Sequence, residues 1–255
     1  MSVRWNDIFQ LPERALAGGR RVPKTVLTKQ AGLTRLEQRS LDRVARIEHW
    51  ATVQKSTARV LPHVDEAYDI QSIVFLRIEL SRGAAFAEVS RLLHKCFPNP
   101  TVVLAEGGND VSVSVAITRR SLAEQGATVV ERVDGTGAFD PGDRAWEGFL
   151  DALAFDALPQ DDLLAYLVAM GRAVRLSRAI PVLGRYPACD PSRADELAAL
   201  IAEHDRLASE ARGIDDRRRD RELSLNETAK LRMQLKAVEK NRDEVANKIR
   251  SICNG

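Results

Sequence analysis

The acidic residue best placed for chemistry is Glu79, in the run Arg77-Ile78-Glu79-Leu80-Ser81. Metal-dependent phosphodiester hydrolysis uses two strand-borne acids to hold the ion and a lysine, in a Glu-x-Lys pair, to support the attacking water. Glu79 precedes an amphipathic helix and then a strand, which is the order that chemistry needs, but Ser81 stands where the lysine belongs. The upstream acids on offer are Asp65, Glu66 and Asp69, and no strand is evident to carry them. The structural alternative is that Glu79 pairs with an arginine at a strand end.

Other reactive side chains are dispersed. His49, His63, His94 and His204 have no neighbours at metal-ligand spacing, so neither a metal centre nor a cofactor is expected. His94, beside Lys95 and Cys96 at a helix end, reads as a capping or surface residue. Cys96 falls on the apolar stripe of that helix and points to a different side from His94, so no thiol nucleophile is expected. Cys96, Cys189 and Cys253 lie far apart and form no CxxC pair, which fits a reducing cytoplasm. No GxSxG, Walker or GxGxxG motif occurs, and Gly107-Gly108 reads as a hairpin turn rather than a phosphate cradle.

Charge offers a second kind of site. The 255 residues carry a net charge of +2, unevenly placed. Residues 1–63 hold 12 Lys/Arg against 5 Asp/Glu, net +7, whereas residues 64–169 hold 8 against 17, net −9. A basic head fits contact with nucleic-acid phosphates through Arg20, Arg21, Lys24, Lys29, Arg35 and Arg39, and fits equally a head docked on the acidic body. No apolar run is long enough for a membrane span, and Met1–Glu13 lacks an apolar signal-peptide core; a cytoplasmic protein is expected.

The elements that must position these groups follow from periodicity. Trp5, Ile8 and Phe9 suggest a short helix, and Gly18 to Lys24 a basic loop. Thr34 with Glu37 forms a capping box, from which Leu36, Leu41, Val44, Ile47 and Trp50 predict a helix; the pair of helices around Gly32 loosely resembles a helix-turn-helix. Ile70–Leu80, Thr101–Glu106, Val111–Ile117 and Ala127–Asp134 read as strands, with a helix over Ala84–Phe97 that Pro98-Asn99-Pro100 ends. In Val111–Ile117 the alternation predicts valines inward and serines outward. The expected sheet is mixed, of about four strands in the order β-α-β-β-β. Trp146, Phe149, Leu150 and Leu153 form a core-facing stripe, and residues 163–180 a mostly buried helix whose N-terminus Asp161 and Asp162 favour.

Asp190-Pro191 starts a further helix, with Ala211-Arg212-Gly213 as its expected end. Ser224 and Glu227 cap the last one near Leu225. There Leu231, Leu235, Val238, Val245, Ile249 and Ile252 form a heptad seam that needs a partner, either an intermolecular coiled coil or an intramolecular hairpin. The fold class is therefore α+β. A basic helical lobe spans 1–63, a mixed-sheet core 64–189, and a C-terminal helical hairpin or coiled coil 190–255.

The string LPERALAGGRRVPKTVL, then GLTRLEQRSLDRVARIEHWATV, resembles the opening of a bacterial domain-of-unknown-function family, number 4391. VFLRIEL, HKCFPNPTVVLAE and SVSVAI resemble that family's sheet, and RELSLNETAKLRMQLK its tail. Family members more often show Glu-Leu-Lys where this chain has Glu79-Leu80-Ser81. The genes are often found beside helicases and DNA methyltransferases in anti-phage defence islands. The resemblance thus implies a non-enzymatic accessory or scaffold subunit, which would bind a helicase, methyltransferase or nuclease, or a second copy, through its C-terminal helices. A restriction-like or degenerate nuclease centred on Glu79 is the alternative.

Overall fold

The computed structural model describes residues 3–97, 99–123, 126–189, 191–219 and 223–254. The chain divides into two compact units, residues 1–177 and 178–255. The first unit is α+β, built on one mixed sheet. Its elements run α1 (Trp5–Phe9), β1 (Leu16–Arg21), α2 (Lys24–Gln30), α3 (Arg35–Asp42), β2 (Val44–Val53), α4 (Lys55–Ala58), β3 (His63–Val64), β4 (Asp69–Ile70) and β5 (Ile73–Leu80). They continue as α5 (Phe86–Cys96), β6 (Thr101–Gly107), β7 (Asp110–Arg120), β8 (Thr128–Gly135), α6 (Glu147–Asp151) and α7 (Leu163–Leu176). Strand order in the six-stranded sheet is β1-β2-β5-β6-β7-β8, and β3 and β4 form a separate two-stranded ribbon. Among the described strands of this sheet, only β5 and β6 are parallel, joined through α5; the other neighbouring pairs are antiparallel.

The predicted strand-helix-strand unit and the meander after it are present, with a β6–β7 turn at Gly108, whose φ is +68°. The sheet is larger than the four strands expected, because the first 63 residues supply β1 and β2 besides the helices α1 to α4. Thr34 and Glu37 do form the reciprocal capping box, with Thr34 N–H donating to Glu37 Oε2 at 2.8 Å. Yet the helix stops at Asp42. Leu36, expected on its apolar stripe, is exposed, while Val44–Val53 pairs on both sides, with β1 and β5. Valine, isoleucine, tryptophan and threonine in that run favour a pleated conformation, and two strands of pairing outweigh a marginal helical period. The basic loop expected at Gly18–Lys24 is likewise partly strand. Gly18 and Gly19, both at positive φ, interrupt its register with β2.

Helices cover both faces of this sheet. Leu76, Ile78, Val103 and Ala105 pack with Val89 and Leu93 of α5 on one face. On the other, Phe9 of α1 meets Phe75 edge-on at 5.5 Å and Trp50 at 5.8 Å. There too α7 approaches β7 and β8, so closely that a Cβ on Gly171 would come within 3.0 Å of Asp134 Oδ2. Consequently the expected outward serines of β7 are buried: Ser112 and Ser114 face the α5 side while the valines face the α7 side. Alternation recorded which helix each residue meets, not inside against outside.

The second unit contains α8 (Ile180–Leu183), α9 (Ala194–Arg218) and α10 (Leu225–Asn254). Helices α9 and α10 pack as a hairpin. The expected capping box is made, Ser224 N–H donating to Glu227 Oε2 at 2.9 Å and Glu227 N–H to Ser224 Oγ at 3.3 Å. The heptad seam is the inner face: Leu231, Val238, Val245, Ile249 and Ile252 are buried, and Leu235 is half-buried. Across from it α9 buries Leu197, Ile201, Leu207, Ala211 and Ile214. Helix α9 runs through Gly213 to Arg218, past the end expected at Ala211–Gly213, because Ile214 adds another turn to the apolar stripe. The N-cap expected at Asp190 and the helix stop expected at Pro98 lie outside the described residues.

Candidate functional site

A network of charged groups gathers on the sheet face opposite α5. Residues alternate across a strand, so Arg77 and Glu79 of β5 share that face with Phe75. The register puts Glu48 of β2 opposite Arg77, Arg46 opposite Glu79, and Glu106 of β6 beside Glu79. Arg77 is the centre. Its Nε donates to Glu106 Oε1 at 2.6 Å and its Nη2 to Glu106 Oε2 at 3.1 Å, a two-point fork. Its Nη1 lies 3.9 Å from Glu48 Oε2. Trp5 Nε1 of α1 donates to Glu106 Oε1 at 2.7 Å, and Arg46 pairs with Glu48. Glu106 first, and then Glu48 and Glu79, push the Arg77 pKa up, so the guanidinium is a fixed cation.

Glu79 therefore sits beside one more carboxylate, Glu106, with Glu48 on the same face opposite Arg77, a grouping that strand register assembles. β5 and β6 are parallel in a register that no local signal specifies, and the β2 run satisfies a helical period as well as a strand. The lysine of a hydrolytic centre has no counterpart, since Ser81 follows the strand. A guanidinium occupies the space between Glu48 and Glu106 that a metal ion would need. Among the described residues no group of three or more His, Cys, Asp or Glu is arranged to hold a metal, and Asp65, Glu66 and Asp69 lie in or beside the β3–β4 ribbon.

The histidines divide by environment. His94, expected at the surface, is buried on the α5 side. Its Nε2 shares a hydrogen bond of 2.8 Å with Ser114 Oγ, and its Nδ1 one with Thr101 Oγ1. Burial alone drives its pKa down to about 3, so the ring is neutral. The apparent dyad with Ser114 is sealed: Thr101 and Ser114 are themselves buried. His63 bridges two carboxylates, Asp162 Oδ2 through Nδ1 and Asp65 Oδ2 through Nε2, both at 3.0 Å. Asp162 first and Asp65 second raise its pKa. Asp162 also caps α7 by accepting from Ala165 N–H at 2.8 Å, so His63 ties the β3–β4 ribbon to that helix start. His49 bonds Thr52 Oγ1 at 2.6 Å, and His204 lies half-buried in the hairpin, its pKa lowered mainly by burial. Burial pushes the Cys96 thiol up to about 11, which suits packing rather than nucleophilic attack.

The basic residues occupy the β1 edge and the two helices after it. Arg20 and Arg21 lie on β1, Lys24 and Lys29 on α2, Arg35 and Arg39 on α3; the Lys29 side chain lies outside what is described. Arg21 and Lys24 line a cleft of about 500 Å³ together with Arg46. Arg20, Arg21, Arg35 and Arg39 are all exposed, and none pairs with an acid among the described residues. Some other arginines are paired with acids: Arg132 and Arg175 with Asp134, Arg178 with Asp205, Arg206 with Glu203 and Glu210.

No helix among the described residues is long and apolar enough to cross a membrane. No curated protein and no solved structure matches the chain. The family model described as "Domain of unknown function (DUF4391)" matches residues 9–241, and the chain belongs to that family.

Proposed function

We propose that this protein is a non-enzymatic accessory or scaffold subunit of a bacterial DNA-directed, anti-phage defence complex, working in the cytoplasm. Its basic β1–α3 region contacts phosphates, and its C-terminal helices dock on a larger helicase, methyltransferase or nuclease. The observation that supports the reading is that Arg20 and Arg21 on β1 and Arg35 and Arg39 on α3, all in the basic first 63 residues, are exposed and have no acidic partner among the described residues. A head docked on the acidic body would have spent those charges. The defence setting rests on the family resemblance. Because the hairpin covers its own seam, a partner engages its outer faces or rearranges it.

The test is a salt titration of duplex binding, read by fluorescence anisotropy. Four or five phosphate contacts predict a log–log slope of about −4. Arg20→Glu with Arg21→Glu reduces both affinity and slope; a flat salt response removes the nucleic-acid role. Partner docking is checked by affinity capture from nuclease-treated host lysate with Met233→Asp as an outer-face variant.

The metal-dependent nuclease reading centred on Glu79 keeps one observation in its favour: Glu79 and Glu106 stand side by side on parallel strands. It requires cleavage that depends on a divalent ion and that Glu79→Ala abolishes.

A further inference from the structure

A cleft opens where the chain leaves β1. Val22 N–H donates to Ile47 O at 2.9 Å, but Pro23 has no N–H to continue the ladder, so the chain turns out of the sheet and enters α2 at Lys24. On β2, Ala45 is the extra residue of a bulge: Val44 stands opposite Leu80 and Arg46 opposite Glu79. A bulge re-aims the side chains beside it. Turn and bulge together shape the cleft of about 500 Å³ that Arg21, Lys24 and Arg46 line, a volume in the range of small-molecule sites.

The three cations are not equivalent. Register sets Arg21 opposite Glu48, so Arg21 and Arg46 share one sheet face. Arg46 is held by the buried Glu48, and that pair is neutral. Arg21 has no acidic partner among the described residues. Lys24 Nζ donates to Asp42 O at 3.4 Å, a neutral acceptor that leaves its charge whole and two of its hydrogens unused. Among the described residues no acid and no aromatic ring lines the cleft, whose walls are Val22, Pro23, Ala45 and Ile47 with Thr25. Arg21 and Lys24 thus give it a charge of +2, above an arginine already fixed in place.

We propose that this cleft holds the terminal phosphomonoester of a nucleic-acid strand; this rests on the phosphate-contact reading of the β1–α3 region and narrows it to a strand end. A phosphomonoester carries about −1.5 to −2 at neutral pH and three acceptor oxygens, whereas each internal phosphate carries a single charge. Two unneutralised cations in a concave site match the first. Arg46 adds charge-assisted hydrogen bonds from the guanidinium nitrogens that Glu48 does not take. A strand end enters a cleft as one group, while an internal phosphate brings its chain over the rim on both sides. With no ring to stack on a base, the site takes the end of any sequence.

The experiment compares one internally labelled blunt duplex with hydroxyl, 5′-phosphate or 3′-phosphate ends, by fluorescence anisotropy at fixed salt. One phosphorylated form is expected to bind about tenfold tighter than the hydroxyl form. Lys24→Gln with Arg46→Gln brings that ratio to one. Lys24→Gln alone leaves the Arg46–Glu48 pair intact, lowers the ratio part of the way, and stands in should circular dichroism show the double variant unfolded. Arg35→Glu with Arg39→Glu weakens every form and keeps the ratio. Equal affinity for all three ends, with salt-dependent duplex binding retained, overturns the strand-end proposal alone. No binding of any duplex overturns it together with the wider reading. A ratio that both cleft variants leave unchanged also overturns it. So does displacement of the phosphorylated duplex by an equal concentration of a nucleoside monophosphate, which makes the cleft a site for free nucleotides.

Discussion

The two faces of the central sheet solve the same problem, buried polar groups, in opposite ways. On the α5 face the polar residues are uncharged: Thr101, His94 and Ser114 form a hydrogen-bonded chain with the imidazole held neutral. On the other face they are ionised: Arg77 bridges Glu106 and Glu48, and Asp134 receives Arg132 and Arg175. Access to water separates them. His94 is 1 % exposed, and among the described residues nothing of opposite charge compensates an imidazolium. The Arg77 side chain keeps 25 % of its surface and the Arg132 side chain 41 %, enough to stay hydrated while the carboxylates beneath them are covered. Where solvent is lost altogether the fold removes the charge, and where some remains it pairs it.

The largest effect that sharpens this contrast comes from Arg77→Ala. It leaves Glu48 and Glu106 covered with no cation between them, and costs about 3 kcal/mol in denaturant unfolding. Arg77→Lys recovers only part, since a point charge cannot reproduce the fork to Glu106. On the neutral face, His94→Ala costs about 2–3 kcal/mol at neutral pH, from the cavity and the two hydroxyls left unpartnered.

The same residue carries a pH signature. The folded pKa lies below the ordinary histidine value, so the unfolded chain binds the proton first. Stability is complete above about pH 6.5 and falls as the pH drops towards 3, by about 2 kcal/mol by pH 5. His94→Ala flattens that slope in a pH series of urea melts. If the slope persists, the acid sensitivity belongs to the ionic face.

A smaller effect is expected where α7 rests on the ionic face. Gly171→Ala pushes a methyl against Asp134, whose two arginine partners restrict its retreat, and loses about 1 kcal/mol net of the helix-forming gain from alanine.

The smallest belongs to His63, whose sign is opposite to that of His94. Its folded pKa is raised by Asp162 and Asp65, so its contribution is present below the unfolded value and is lost as pH rises through the folded one. His63→Gln lowers the melting temperature by about a degree or two in mild acid and leaves it unchanged in alkali, the bridge being exposed and screened.

Local signals that need only a few consecutive residues were legible. Both capping boxes, the short α1, the Gly108 turn, the strands Thr101–Gly107 and Thr128–Gly135, and the apolar stripe of α5 with Cys96 inside it follow from side-chain chemistry over a turn or two. Val44–Val53 was misread because valine, isoleucine and tryptophan at every third place satisfy a helical period as well as a strand. His94 was misplaced because its partners, seven and twenty residues away, come to it only when β6 and β7 pair beneath α5.

The heptad seam shows where the division falls. Its spacing determined that Leu231, Val238, Val245, Ile249 and Ile252 would be covered, since a narrow apolar stripe on a long helix has to leave water. What covers it was decided by tertiary structure: α9 continues past Gly213 to Arg218 and returns on the same chain as the nearer partner. The carboxylates around Arg77 obey the same rule. The sequence determined that Glu79 would stand on a strand. That Glu48 and Glu106 stand with it on one face depends on strand order and register, and these are set by contacts among residues tens of positions apart.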